Sequence, residues 1–203
     1  SVGKLVVNGS LDGSVNVQSG ATLGGSGSVG SVTVSLGGTL SPGNSPGVLT
    51  ATNGLSLATG STFGWELAAN TAAGRGTSFD GVNVTGGTLS IGAGVASSLV
   101  FNASGSTVSW ADSFWGSDRT WLVFSNASLP TLASGSIFDT VSLTADINSL
   151  NLADVRAQAG FSWSQSGNDL YLNYNVVPEP GTSALLALAA AGFAAHTLRR
   201  RRK

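Results

Sequence analysis

The chain has 203 residues, a formal net charge of −1 and charged side chains at 9% of positions, far below the roughly 25% of ordinary globular domains. It has no cysteine, which excludes a disulfide scaffold, a thiolate metal site and a cysteine nucleophile. Its 29 glycines lack the three-residue period of collagen, and 41% hydrophobic residues are too many for a disordered chain.

In chain order, Lys4 to Leu11 and Gly13 to Leu23 read as short strands, with turn signals at Asn8-Gly9 and Asp12-Gly13. Val15 and Val17 alternate with Asn16 and Gln18, the two-residue period of a half-buried strand. Val32, Val34 and Leu36 are expected to point one way, and Leu40 ends that rung. Pro42 to Gly47 is a double turn, after which Val48, Leu55 and Leu57 resume the apolar face. Gly20 to Leu23 (GATL), Gly37 to Leu40 (GGTL) and Gly86 to Leu89 (GGTL) are near-copies, with Gly60 to Phe63 (GSTF) as a variant. A drifting period near 20 to 25, with short strands and Gly/Asn turns, is the mark of a β-solenoid whose rungs bury a core only by stacking.

Leu36 to Leu67, with Ser41-Pro42-Gly43-Asn44-Ser45-Pro46-Gly47 at its centre, resembles the autotransporter-associated β-strand repeat, also called the passenger-associated transport repeat. The resemblance implies a single-stranded, right-handed parallel β-helix at a bacterial surface. It is close over about 30 residues and looser over residues 20–91. The membrane β-barrel of a true autotransporter is not part of this sequence, so self-transport is not implied.

Beyond Ile91 the repeat fades; further solenoid is the expectation there, with a β-sandwich as the alternative. Trp110, Phe114, Trp115 and Trp121 cluster there, with Asp112, Asp118 and Arg119 between them. Aromatic side chains are mostly core, and these suit the wide end of a solenoid. The competing reading is a carbohydrate contact made by Trp110, Asp112, Trp115, Asp118 and Trp121. A glycoside hydrolase would need two carboxylates about 5 to 9.5 Å apart, and Asp112 and Asp118 are the one close pair among aromatics. Trp121 to Phe124 reads as a strand, Ala153 to Gly160 as one helical turn, and Phe161 to Val176 as a hairpin turning at Gly167-Asn168-Asp169 that caps the solenoid.

The last stretch has three parts: Pro178-Glu179-Pro180, an apolar run from Thr182 to Leu198, and the basic block Arg199, Arg200, Arg201, Arg202 and Lys203. A 17-residue helix would span about 25 Å, short of a bilayer core of about 30 Å, with terminal arginines able to snorkel and to hold that end on the cytoplasmic side. The order and terminal position resemble the PEP-CTERM sorting signal of Gram-negative bacteria. The resemblance implies a precursor held in the inner membrane with its body on the periplasmic side. An exosortase, a membrane-embedded cysteine protease, would process it, with Pro178, Glu179 and Pro180 as the recognition element. The destination would be the cell surface or extracellular polysaccharide. Such a protein needs an export signal, expected upstream of Ser1.

The single histidine, His196, lies in the apolar run, so no serine triad can be assembled. No phosphate-binding glycine loop, calcium repeat, cofactor motif or metal-ligand spacing occurs. Outside the terminal block only 4 basic residues face 10 acidic ones, which excludes a nucleic-acid partner. The expected architecture is therefore an all-β parallel solenoid over residues 1–176, followed by a sorting tail at 177–203 with one transmembrane helix at 182–198. The expected function is that of a non-enzymatic surface or matrix protein.

Overall fold

The structure, a computed structural model, describes residues 3–133 and 135–176. Three parallel sheets run the length of the body. The first contains β1 (Gly3–Val6), β4 (Ala21–Gly24), β7 (Thr39–Leu40), β10 (Thr62–Glu66), β13 (Ala96–Val100) and β16 (Thr140–Leu143). The second contains β2 (Ser10–Leu11), β5 (Ser28–Val29), β8 (Val48–Ala51), β11 (Gly81–Val84) and β14 (Arg119–Asn126). The third contains β3 (Val15–Val17), β6 (Val32–Val34), β9 (Leu55–Leu57), β12 (Leu89–Ile91) and β15 (Thr131–Leu132). Chain order visits the three sheets in turn, so five complete rungs and the start of a sixth stack as a parallel β-helix, and residues beyond Ile91 continue the solenoid.

Register turns the alternation of the sequence into columns. Leu23, Leu40, Phe63, Ser97 and Val141 stack inward on the first sheet, and Val17, Val34, Leu57, Ile91 and Leu132 on the third. Outward columns are hydroxyl and amide, as in Asn16, Thr33, Ser56, Ser90 and Thr131. Strands lie about 4.8 Å apart, so a charge repeated in each rung would face its own kind directly, which is destabilising. That explains how so few charges suffice.

In each of the first four rungs the turn after the third strand holds a glycine in the left-handed region: Gly20, Gly37, Gly60 and Gly94, at φ 75°, 72°, 74° and 70°. Their backbones chain together, Gly20 N–H donating to Gly37 O at 2.9 Å and Gly37 N–H to Gly60 O at 3.0 Å. A side chain at Gly37 would also press its Cβ to 2.6 Å from Ser19 Oγ.

Three local expectations are corrected by this geometry. Leu36 does not continue the face of Val32 and Val34; it is 69% exposed in the turn. Val48 points outward while Leu49 and Ala51 are buried. The GGTL copy at Gly86 to Leu89 does not stack on the others, because Leu89 pairs with Leu55 in the third sheet. The true equivalent is Gly94 to Ser97, since Ala96 pairs with Thr62. Both corners place a left-handed glycine (Gly87 at φ 67° in one, Gly94 in the other) before an apolar strand, so the string recurs at two unrelated places.

First-sheet strands begin at residues 3, 21, 39, 62, 96 and 140, so the rungs lengthen from 18 to 18, 23, 34 and 44 residues. Most growth falls at one corner, between the first and second sheets. Its connections are 7–9, 25–27, 41–47, 67–80 and 101–118. The last rung is closed by α1 (Leu152–Val155) and by β17 (Gly160–Ser166) and β18 (Asp169–Asn175), an antiparallel hairpin added to β14. The hairpin leans over the end of the core, where Trp163 packs on Phe138, Phe63 and Phe124 with centroids 4.6, 6.0 and 6.4 Å away.

The fold class is corrected in its second part. Among the described residues no helix is long and apolar enough to cross a membrane, and the one α-helix is a single turn of four residues. The stretch 182–198 assigned to a transmembrane helix lies outside the described residues. The architecture that stands is a β-solenoid with a hairpin cap.

Candidate functional site

The aromatic segment lies in the enlarged corner. Asp112 caps a 3-10 turn, Ser113–Gly116, by accepting from Phe114 N–H at 2.7 Å. Trp110, Trp115 and Trp121 are fully buried, with centroids 4.7 Å apart for the first two and 6.1 Å for the last two. Each indole N–H has a protein acceptor: Trp110 donates to Leu150 O at 3.0 Å, Trp115 to Asn70 Oδ1 at 2.9 Å and Trp121 to Thr71 O at 2.9 Å. A sugar stacks on an indole only where the ring face meets solvent, and these three rings have no such face. They are the core of a second layer made where the long corner loops stack on one another.

The two carboxylates of the segment are engaged by backbone. Asp112 serves its own turn, and its carbonyl accepts from Arg156 Nη2 at 3.0 Å. Asp118 Oδ1 accepts from Val176 N–H at 2.8 Å. Two residues upstream of Val176, Tyr174 Oη donates to Trp115 O at 3.0 Å. Arg119 lies over the Phe114 ring at 4.3 Å and donates to Phe114 O. The corner therefore fixes the point where the chain leaves the solenoid.

What leaves there is the sorting tail. Residues 176–203 match the family model for the PEP-CTERM protein-sorting motif. No curated protein matches the chain. Val176, pinned by Asp118, is the first matched residue, two positions before Pro178. Pro178, Glu179, Pro180 and the block Arg199, Arg200, Arg201, Arg202 and Lys203 lie outside the described residues.

Two charged groups matter more than their sequence suggests. Asp80 is 1% exposed. Its carboxylate accepts from Gly47 N–H at 2.9 Å and Glu66 N–H at 3.0 Å, and its carbonyl accepts from Trp65 Nε1 at 2.9 Å. It thereby ties the Pro42–Gly47 turn to the rung above. Burial pushes its carboxyl up to about 8, the Gly47 N–H pulling against that and the Glu66 charge adding to it. Arg75 donates to Leu122 O, Val82 O, Val123 O and Asn83 Oδ1 at 2.8 to 3.0 Å. Its guanidinium fills the place where a Gly81 Cβ would sit and supplies donors to carbonyls where β14 parts from β11. Burial holds its pKa below the usual arginine value. A hint of Asp80's role was available: it is an acid set between Phe79 and the buried alternation of Val82 and Val84. Arg75 sits in a polar loop and gives no such hint.

Proposed function

We propose that the chain is an exported, non-enzymatic protein of the cell surface or extracellular matrix, sorted through its C-terminal tail. The observation that carries this reading is the sorting motif at residues 176–203. Such a motif points to export, to anchoring at the membrane as a precursor and to processing by an exosortase. Pro178, Glu179 and Pro180 are the recognition element, and Arg199 to Lys203 mark the cytoplasmic end, with the solenoid facing outward. The solenoid is the exported part, and its rung pattern around Ser41 to Gly47 supports kinship with the autotransporter-associated repeat.

The non-enzymatic part is supported by how the carboxylates are used. Among the described residues, seven of the nine acidic side chains accept from backbone N–H groups: Asp80, Asp112, Asp118, Asp139, Asp146, Asp154 and Asp169. Asp112 and Asp154 fix their own turns, and the others tie turns to distant segments. Asp146 is typical. Burial alone would raise its pKa, but the N–H groups of Trp110, Leu150 and Asn148 outweigh that and hold it below the usual range.

The test is the intact mass of the protein from a host with an exosortase and from one lacking it. A form ending near Pro178 to Gly181 in the first host only, and lost in Glu179→Ala, is expected. A chain that keeps Arg199 to Lys203 in both hosts sinks the proposal.

A further inference from the structure

β17 is the outermost strand of the second sheet, paired with β18 on one side and, among the described residues, with no strand on the other. A bare strand edge presents a row of N–H and C=O groups that can pair with another chain, and folds commonly blunt such edges by shortness, charge, proline or bulges. The other outer strands of this solenoid are blunted. β2, β3 and β15 have two or three residues, β1 carries Lys4, and β16 has four residues directly after Asp139. β17 has seven residues, Gly160–Ser166, with neither charge nor proline, and its register with β18 runs without a bulge.

Ser166 and Asp169 close the turn at Gly167-Asn168. Alternation along an antiparallel ladder then points the N–H and C=O groups of Ser162, Ser164 and Ser166 at β18, and those of Phe161, Trp163 and Gln165 outward. The same edge borders a recess of about 540 Å³ with Leu132, Ile137, Phe138, Val141 and Trp163 as its apolar wall. The Ser162 and Ser164 hydroxyls accept from Asn175 and Asn173 on the far face of the hairpin, so these two residues meet the recess with backbone. No charged side chain is among those lining it.

We infer that β17 pairs antiparallel with β17 of a second copy, making an end-to-end dimer. The strand fits itself. A two-fold axis at Trp163 sets Trp163 against the partner's Trp163 and Phe161 against the partner's Gln165, so every outward N–H meets a C=O. The second sheets of the two copies become one, and the two apolar recesses lie along the joined edge. An uncharged edge meets its own copy without the opposition that like charges on facing strands would bring, which favours a second copy over a charged partner. The dimer does not depend on how the tail is processed.

The chain has no cysteine, so introduced ones report this contact alone. In the proposed register Ser162 faces the partner's Ser164 as a non-hydrogen-bonded pair, Cα atoms about 4.5 Å apart and within the reach of a disulfide. Ser162 and the partner's Ser162 lie on a diagonal of roughly 7–8 Å, beyond that reach. The test uses the 203-residue chain in a non-ionic detergent, which keeps the apolar run from Thr182 to Leu198 from driving association. An equal mixture of Ser162→Cys and Ser164→Cys chains should form a disulfide dimer on mild oxidation, and each variant alone should form much less. Gln165→Pro, added to both, removes an outward N–H and leaves the pairing with β18 intact, as near-ultraviolet circular dichroism would show. It should slow the cross-linking about tenfold. Three outcomes overturn the inference: a mixture that cross-links no better than the separate variants, cross-linking indifferent to Gln165→Pro, or cross-linking that is lost when residues 177–203 are removed. The last would assign the association to the tail.

Discussion

Asp80 shows how a single residue can set the pH response of a solenoid that has few charges. Its carboxyl sits at about 8 in the folded chain and near 4 when unfolded. Between those values the folded state holds a proton that the unfolded state has released. Stability linked to this group is therefore complete below about pH 4 and falls as pH rises towards 8. Glu66, half-buried and held above its ordinary pKa by burial, adds to the same slope, while the Lys4 charge opposes it at both sites. Asp80→Asn removes the titration but keeps an acceptor for one of the two N–H groups. Urea midpoints of the wild-type chain should fall between pH 5 and pH 8, and those of Asp80→Asn should fall distinctly less. Glu66 titrates in both proteins, so the difference isolates Asp80. Equal slopes would show that Asp80 is ionised throughout, held so by its two backbone donors.

At the scale of elements, the corner between the first and second sheets decides both burial and exit. Asp118 links β18's end to the loop before β14 through Val176 N–H, while Tyr174 holds the same strand from its other face. Asp118→Ala should speed amide exchange at Val176 about tenfold, the loss of one hydrogen bond to a charged acceptor. The Trp115–Tyr174 packing, centroids 4.9 Å apart, should stay intact, as near-ultraviolet circular dichroism would show. An unchanged exchange rate would mean the exit is held by something other than Asp118. The elements themselves were unequally legible. Val15, Val17, Val32, Val34, Val82 and Val84 announced their strands because side chains alternate wherever the chain runs as a half-buried strand. Leu36 misled because an apolar residue in step with a strand gives no sign that the next glycine turns the chain. That the aromatic cluster is core followed from residue type, and Trp110, Trp115 and Trp121 are buried, but the partners that bury it could not be read. Its burial depends on partners some 40 residues away, such as Leu150 for Trp110 and Asn70 for Trp115, and the inserted loops that bring them together break the period.

Across the whole molecule the rungs grow from 18 to 44 residues, and the core changes character with them. The first rung has no buried aromatic, and its Leu5 and Leu11 are 47% and 40% exposed. The fifth rung holds Trp110, Trp115, Trp121, Phe124 and Phe138 under the hairpin. Stability in a solenoid is close to a sum of rung and neighbour terms, so the two ends should respond differently to removal. Deleting residues 1–19 takes away one rung and exposes the edges of β4 to β6, with small aliphatic side chains behind them. The expected product is a folded chain with a lower urea midpoint and an unchanged tryptophan environment. Deleting residues 160–176 removes Phe161, Trp163 and Tyr174 from a continuous aromatic stack that includes Phe63, Phe101, Trp115 and Trp121. Phe161 and Trp163 are half-buried, but Leu170, Leu172 and Tyr174 of the same segment are fully buried, and at about 1.5–3 kcal/mol for each fully buried side chain their loss takes a large share of a typical domain's margin of about 5–15 kcal/mol. That variant should show red-shifted tryptophan emission, lost near-ultraviolet dichroism and association through the bared core. If it instead kept the emission of the intact chain, the aromatic corner would be stable without its hairpin, and β17 and β18 would be an appendage and not the cap.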